Sequence, residues 1–180
     1  INTVISTSAG RLFDAVSALL GIRLHSTFEG EASTALQFCA EVYAANAKSA
    51  AKGAENNIGD SKEKYTPAKM PEEMLTSELF GTLLQRRLHG DDIHKLAYEF
   101  HEQLASLITQ SCIQIRQMQH LNTVALSGGV FQNRLLLELT ETKLANAGFK
   151  VLRHHLLPPN DGGICVGQAL YGMHYLNNNK

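Results

Sequence analysis

The stretch of sequence that decides the fold is TVALSGGVFQN, which spans residues 123–133. Its first five residues are apolar and partly β-branched, as in a short strand. A glycine pair follows, and the apolar pattern from Val130 to Ala147 is that of a helix closed by Gly148. The stretch therefore predicts a strand, a glycine turn and a helix in direct succession.

The next segments complete a repeating unit. Residues 149–153 alternate as in a second strand, Pro158 to Gly163 (PPNDGG) read as a loop, and Ile164 to Leu176 as a closing helix. A strand, helix and strand in this order predict parallel strands whose carboxyl ends share one edge of the sheet. Both glycine-containing loops are then expected to face one crevice, which is the usual place for a ligand in such a sheet.

The preceding residues are predicted to be helical. Apolar periodicity indicates helices at 7–21, 32–48 and 74–89, and a longer helix from 93 to about 119. Residues 48–72 are rich in Lys, Ser, Gly and Asn, contain two prolines, and predict a flexible loop. The fold class expected from these patterns is a helix-rich α/β fold.

Composition narrows the possible functions. The 180 residues carry 16 basic and 17 acidic side chains, and a duplex nucleic-acid binder normally has a basic excess. No run approaches the ~20 apolar residues of a membrane span. Cys39, Cys112 and Cys165 are far apart in sequence, which favours reduced thiols and a cytoplasmic location.

Two glycine-containing segments could bind a nucleotide. Gly128 and Gly129 at a strand-to-helix turn would let a ligand approach the backbone and the helix N-terminus, although ordinary α/β turns also carry glycine. Gly10 and Asp14, four residues apart near a helix start, would offer bare backbone and a carboxylate to a sugar hydroxyl. The alternative for Asp14 is a simple interaction with the helix dipole.

Other residues carry weaker signals for metal ligation and catalysis. Asp161 precedes a helix and could either cap it or ligate a cation. The eight histidines include no H-x-x-x-H spacing, so they do not predict a metal site. Neither a Ser-His-Asp nor a Cys-His arrangement follows from order or spacing, and Ser127 is not in a G-x-S-x-G elbow.

Several segments together resemble one family. They are SAGRLFDAV (8–16), FEGEA (28–32), the pair Phe100-His101, ALSGGVFQN (125–133), and PPNDGG (158–163) followed by GQA (167–169). In this order they resemble the carboxy-terminal part of the HypF family, the carbamoyltransferases of [NiFe]-hydrogenase maturation. The resemblance implies the second lobe of an actin/hexokinase-like (ribonuclease H-like) nucleotide-binding fold.

The same resemblance implies an activity and partners. Carbamoyl-adenylate, made from carbamoyl phosphate and ATP, would pass its carbamoyl group to the carboxy-terminal cysteine of a partner, HypE, on the way to a cyanide ligand. Residues 1–180 would be one lobe of a longer protein and inactive alone. The alternatives are a small-molecule O-carbamoyltransferase, and a partner-docking module that uses the long helix and the 48–72 loop.

The resemblance also assigns roles to residues. Gly128 and Gly129 resemble the glycine pair under the adenosine, and Asn133 resembles an amide that helps to hold it. Gly10 and Asp14 resemble the pair at the ribose.

Asp161 resembles an aspartate that completes a divalent metal site, whose two histidines lie in an H-x-x-x-H motif on the other lobe. Arg11 stands where tRNA-modifying relatives usually have Glu, which favours the HypF branch. No catalytic nucleophile is expected in this chain.

Overall fold

Four helices form the first part of the chain in the computed structural model, which describes residues 8–52 and 76–178. They are α1 (Ala9–Leu19), α2 (Glu31–Lys52), α3 (Thr76–His89) and α4 (Ile93–Gln119). The four predicted helices are confirmed. The predicted 48–72 loop is wrong at its start, because α2 continues through good helix formers to Lys52; residues 53–72 lie outside the described residues.

The second part of the chain is the predicted α/β unit. It comprises β1 (Thr123–Leu126), a first 3-10 turn (Gly129–Gln132), α5 (Arg134–Asn146), β2 (Lys150–Arg153), a second 3-10 turn (Asp161–Gly163) and α6 (Ile164–Asn178). The two strands pair in parallel, with Leu126 opposite Arg153. Both 3-10 turns therefore follow the carboxyl ends of neighbouring strands, as the sequence predicts.

The helix predicted to begin at Val130 is interrupted at Asn133. That residue has φ −67° and ψ 103°, which is an extended conformation. Its side-chain oxygen accepts a hydrogen bond from the backbone N–H of Leu136 at 3.0 Å, and its own N–H donates to the Val130 carbonyl. Asparagine favours this capping geometry, so α5 begins only after it, and the 3-10 turn stands apart.

The main hydrophobic core is formed by side chains from all five helices α1, α2, α3, α4 and α5. Its largest fully buried side chains include Phe13, Phe100, Leu36, Leu83, Leu96 and Leu136. The rings of Phe13 and Phe100 meet edge to face, with centroids 5.0 Å apart, a favoured aromatic geometry. The apolar side of α4 is buried from Leu96 to Ala105, whereas Ile115 near the end of the helix is exposed.

A smaller core lies under the sheet and is built on Leu126, Leu144 and Phe149, with Cys112 packed against it. The three cysteines are free thiols. By contrast, α6 leaves its large apolar side chains exposed. Among the described helices, none has the length and apolarity needed to cross a membrane.

Candidate functional site

A cavity of about 740 Å³ opens where the start of α1, the loop before α2 and both 3-10 turns meet. Five of the sequence-predicted site residues lie on its wall: Gly10, Asp14, Gly129, Asn133 and Asp161. They come from three separate segments of the chain: α1, the first 3-10 turn with Asn133 at its end, and the second 3-10 turn. The fold therefore brings together residues that are up to about 150 positions apart, in a volume typical of small-molecule sites.

The sixth predicted residue, Gly128, lies on the wall of an adjoining pocket of about 320 Å³. This pocket shares Gly129, Asn160 and Asp161 with the larger cavity. Gly128 has φ +102°, a conformation that L side chains rarely adopt. Its N–H donates to the Pro159 carbonyl at 2.9 Å, so Gly128 ties the two strand-end loops together.

Two of the glycines on the large cavity, Gly10 and Gly129, are not required by the backbone conformation. A Cβ on Gly10 would lie 3.6 Å from its nearest neighbour, Ser8 Oγ, and one on Gly129 would lie 3.8 Å from Asn160 Cβ. Both are ordinary contact distances, and neither residue has a left-handed φ. The protein itself therefore has room for a side chain at both positions, and the bare backbone leaves space in the cavity.

Gly163 is the contrasting case. A Cβ there would lie 2.8 Å from the Pro158 carbonyl oxygen, closer than real Cβ contacts come. Glycine at this position is needed to let the PPNDGG loop fold back on itself, independently of any ligand.

The carboxylate of Asp161 is not used to cap the helix that follows it. The side-chain cap in this segment belongs to the second 3-10 turn and is made by Asn160, whose Oδ1 accepts from the Gly162 N–H at 3.1 Å. Asp161 is exposed and reaches both cavities. Of the two roles that the sequence left open, capping by its side chain is therefore excluded.

The carboxylate of Asp161 could supply one oxygen ligand to a metal ion. Within residues 8–52 and 76–178, no group of three His, Cys, Asp or Glu side chains is placed to hold an ion. Zinc sites normally have at least three protein ligands, whereas Mg²⁺ is usually held by one or two carboxylates together with substrate phosphates. A metal held by Asp161 would therefore need further ligands from a bound phosphate or from outside the described residues.

Asp14 is engaged by a neighbour on its own helix. Arg11 Nη2 lies 3.0 Å from Asp14 Oδ2, and the Arg11 side chain is 68% exposed. Such a surface pair contributes about 0–1 kcal/mol, so a polar ligand could replace it at little cost. With Glu29 and Asp161 also on the wall, the cavity carries three carboxylates and one guanidinium.

His101 is a buried residue behind the cavity wall to which sequence reasoning gave no role. Its ring is fully buried, and desolvation by burial lowers the pKa of His101 from 6.5 to about 4. Its Nε2 lies 3.0 Å from Asn133 Nδ2. The signal available in the sequence was a histidine beside Phe100 on the apolar side of α4.

Two further pairs were missed because their members are far apart in sequence. Ser127 Oγ lies 2.9 Å from His154 Nε2 on the smaller pocket, and Cys39 Sγ lies 3.2 Å from His94 Nδ1 between α2 and α4. Order and spacing along the chain do not indicate either pair, and the fold brings the members of each pair together. Burial raises the pKa of the Cys39 thiol, which disfavours the nucleophilic thiolate.

The class of protein to which this fold and cavity belong is given by a family model, and it is the second subdomain of a Kae1-like carbamoyltransferase domain. The family model described as "Carbamoyltransferase, Kae1-like Domain, second subdomain" matches residues 1–168. The chain belongs to the HypF carbamoyltransferase family. The expected helix-rich α/β fold is confirmed, and the matching family model names it a Kae1-like subdomain.

Individual relatives agree with this assignment. The chain is 36% identical over 169 residues to carbamoyltransferase HypF of Synechocystis, covering 92% of this chain and 19% of that protein. It is 30% identical over 170 residues to a probable carbamoyltransferase HypF of Methanocaldococcus jannaschii, covering 94% of this chain and 20% of the relative. The chain thus spans about a fifth of the length of these relatives.

Solved structures show the same likeness. Full-length HypF in a phosphate- and nucleotide-bound form superposes with a TM-score of 0.71 at 31% identity, over 94% of this chain and 20% of that one. The HypF of T. kodakarensis also superposes with a TM-score of 0.71, at 27% identity, over 99% of this chain and 21% of its own.

Proposed function

We propose that this chain supplies the nucleotide-binding wall of a carbamoyl transfer site. In this proposal, carbamoyl-adenylate made from carbamoyl phosphate and ATP lies in the 740 Å³ cavity. Its carbamoyl group passes to the carboxy-terminal cysteine of a HypE-type partner. The observation that carries the proposal is the pair Gly10 and Gly129, which expose bare backbone to the cavity although the protein has room for a side chain.

The cavity offers different chemistry at its different walls. Gly129 begins the first 3-10 turn, where backbone N–H groups and open space suit a flat adenosine group. Asp14 lies on α1 beside Gly10, where its carboxylate can accept hydrogen bonds from ribose hydroxyls. A solved HypF with bound phosphate and nucleotide supports this choice of ligand class.

The charge of the wall supports a cation beside the phosphate. Three carboxylates and one guanidinium would repel an anionic phosphate on its own. When bound, a divalent ion would polarise the carbamoyl or phosphate oxygens and offset this repulsion. In this chain Asp161 would be one of its ligands.

The reaction needs no nucleophile from the described residues. The thiolate of the partner's cysteine attacks the carbamoyl carbon, a C–S bond forms, the C–O bond to the phosphate breaks, and AMP leaves with that electron pair. The residues of this chain hold the adenylate in place, so that its carbamoyl carbon faces the incoming thiolate. The 3-10 turns, held together by the bond from Gly128 to Pro159, keep that wall rigid.

The experiment is to replace Asp161 by Asn in the intact protein and to follow carbamoylation of the partner's cysteine by intact-mass spectrometry. This variant keeps the shape of the side chain and removes its charge. We expect a loss of transfer of about a hundredfold or more, a typical cost for losing electrostatic stabilisation at the reacting group. Asp91→Asn, which is not on the cavity wall, is the matched control; undiminished transfer by Asp161→Asn would contradict the proposal.

A further inference from the structure

A continuous chain of hydrogen bonds runs from α4 to the first turn of α5 through two buried side chains. His101 Nδ1 lies 2.7 Å from the Ala97 carbonyl oxygen. On the other side of the ring, Nε2 lies 3.0 Å from Asn133 Nδ2. Asn133 Oδ1 in turn accepts from the Leu136 N–H at 3.0 Å.

The direction of every bond in this chain is determined by chemistry. A carbonyl oxygen can only accept, so the proton of the neutral ring is on Nδ1. The Leu136 N–H can only donate, so the oxygen of the Asn133 amide faces α5 and its NH2 group faces His101. His101 Nε2 is then the acceptor, and any other tautomer or amide orientation would set two donors against each other.

The chain fixes a residue on the wall of the cavity. Asn133 is 9% exposed and lines the cavity, and its backbone N–H closes the first 3-10 turn on the Val130 carbonyl. His101 itself is 0% exposed, so it cannot touch a ligand. The ring also packs edge to face on Phe13, with centroids 5.3 Å apart, and Phe13 lies on the same wall.

We propose that His101 is a positioning residue for the nucleotide cavity: its Nε2 holds the Asn133 amide in the orientation that ends the first 3-10 turn and begins α5. The cavity wall from Gly129 to Asn133 then has one conformation before any ligand binds. This inference rests on the proposed function only for the identity of the ligand, since the hydrogen bonds exist without it.

Two substitutions separate this role from simple packing. His101→Phe keeps a flat ring between Phe13 and Phe100 but removes the acceptor for Asn133. His101→Gln loses the ring and keeps an amide oxygen that can accept from Asn133 Nδ2. If the acceptor is what matters, Gln should restore what Phe loses, although Phe is the better match in shape.

The measurement is hydrogen exchange, read by mass spectrometry on peptides that cover residues 134–138 and 8–16, with and without AMP. In His101→Phe we expect protection of 134–138 to fall by about tenfold, the effect of losing one buried hydrogen bond. We expect the AMP concentration that gives half-maximal protection of residues 8–16 to rise by about tenfold, because the cavity wall from Gly129 to Asn133 is no longer preorganised. In His101→Gln both values should stay within about threefold of the wild type.

The two measurements distinguish a failure of the positioning role of His101 from a failure of the proposed function. Equal protection of residues 134–138 in wild type and His101→Phe would overturn the positioning role, whatever AMP does. Loss of protection in both variants would also overturn it, because packing of the ring would then be the cause. If AMP protects nothing in the wild type, the proposed function fails, while the protection of 134–138 still decides the role of His101.

Discussion

Lowering the pH should decrease the free energy of unfolding, because the ring of His101 is buried in the core. The pKa of this residue is lowered from 6.5 to about 4 in the folded protein, and desolvation of its buried ring is the first cause. Each pH unit between these two values corresponds to about 1.4 kcal/mol. Protonation of this one ring should therefore remove about 3 kcal/mol of folding free energy between neutral pH and pH 4.

The sign and the window follow from the same two values. Above pH 6.5 the ring is neutral in both the folded and the unfolded chain, so this residue contributes no pH dependence. Between pH 6.5 and about 4 the unfolded chain binds the proton and the folded chain does not. Stability therefore falls as the pH falls through this window, by about 2 kcal/mol at pH ~5.

The assay is hydrogen exchange of peptides from α4, corrected for the pH dependence of intrinsic exchange. Between pH ~7 and pH ~5, protection should fall about 30-fold in the wild type from this residue alone. His101→Gln, which has no titrating ring, should lack this component, whereas His25→Gln at an exposed loop position should retain it. Identical pH dependence in wild type and His101→Gln would refute the reasoning.

Four further substitutions test the packing and the glycines. Gly163→Ala sets a methyl group against the Pro158 carbonyl and should destabilise the protein by about 1–3 kcal/mol in denaturant unfolding; wild-type stability would contradict the close contact. Gly10→Ala should raise the free energy of unfolding by up to ~1 kcal/mol and yet weaken the AMP-dependent protection of residues 8–16. If stability and AMP-dependent protection both increased, Gly10 would not be a ligand-facing glycine. Phe100→Ala should cost about 3–5 kcal/mol and the exposed Leu88→Ala within about 0.5 kcal/mol; similar costs would show that the core lies elsewhere.

The elements of the fold could be predicted because each has a local signal. Apolar periodicity indicates α4, and the TVALS stretch with its glycines indicates the first strand and turn. The break at Asn133 was missed because it depends on one side chain that bonds to the backbone three residues later. Periodicity does not detect such a cap when apolar residues continue on both sides.

The candidate site could be predicted only in part, for a related reason. Gly129 and Asp161 are in loops that follow parallel strands, so topology alone places them near each other. The different roles of Gly128 and Gly129 depend on φ and on neighbouring atoms, which the sequence does not reveal. His101 acts across 32 positions through Asn133, and only the packing of α4 against α5 brings the two together.

The most direct test of the central claim is the site of nucleotide binding itself. Hydrogen exchange with and without AMP should show protection of residues 8–16 and 125–134 in the wild type. Gly129→Val, which fills the cavity, should abolish it, whereas Gly81→Val, at an exposed helical position with nothing within 4 Å of its Cβ, should leave it unchanged. Undiminished protection of both segments in Gly129→Val would contradict the claim that this cavity binds the nucleotide.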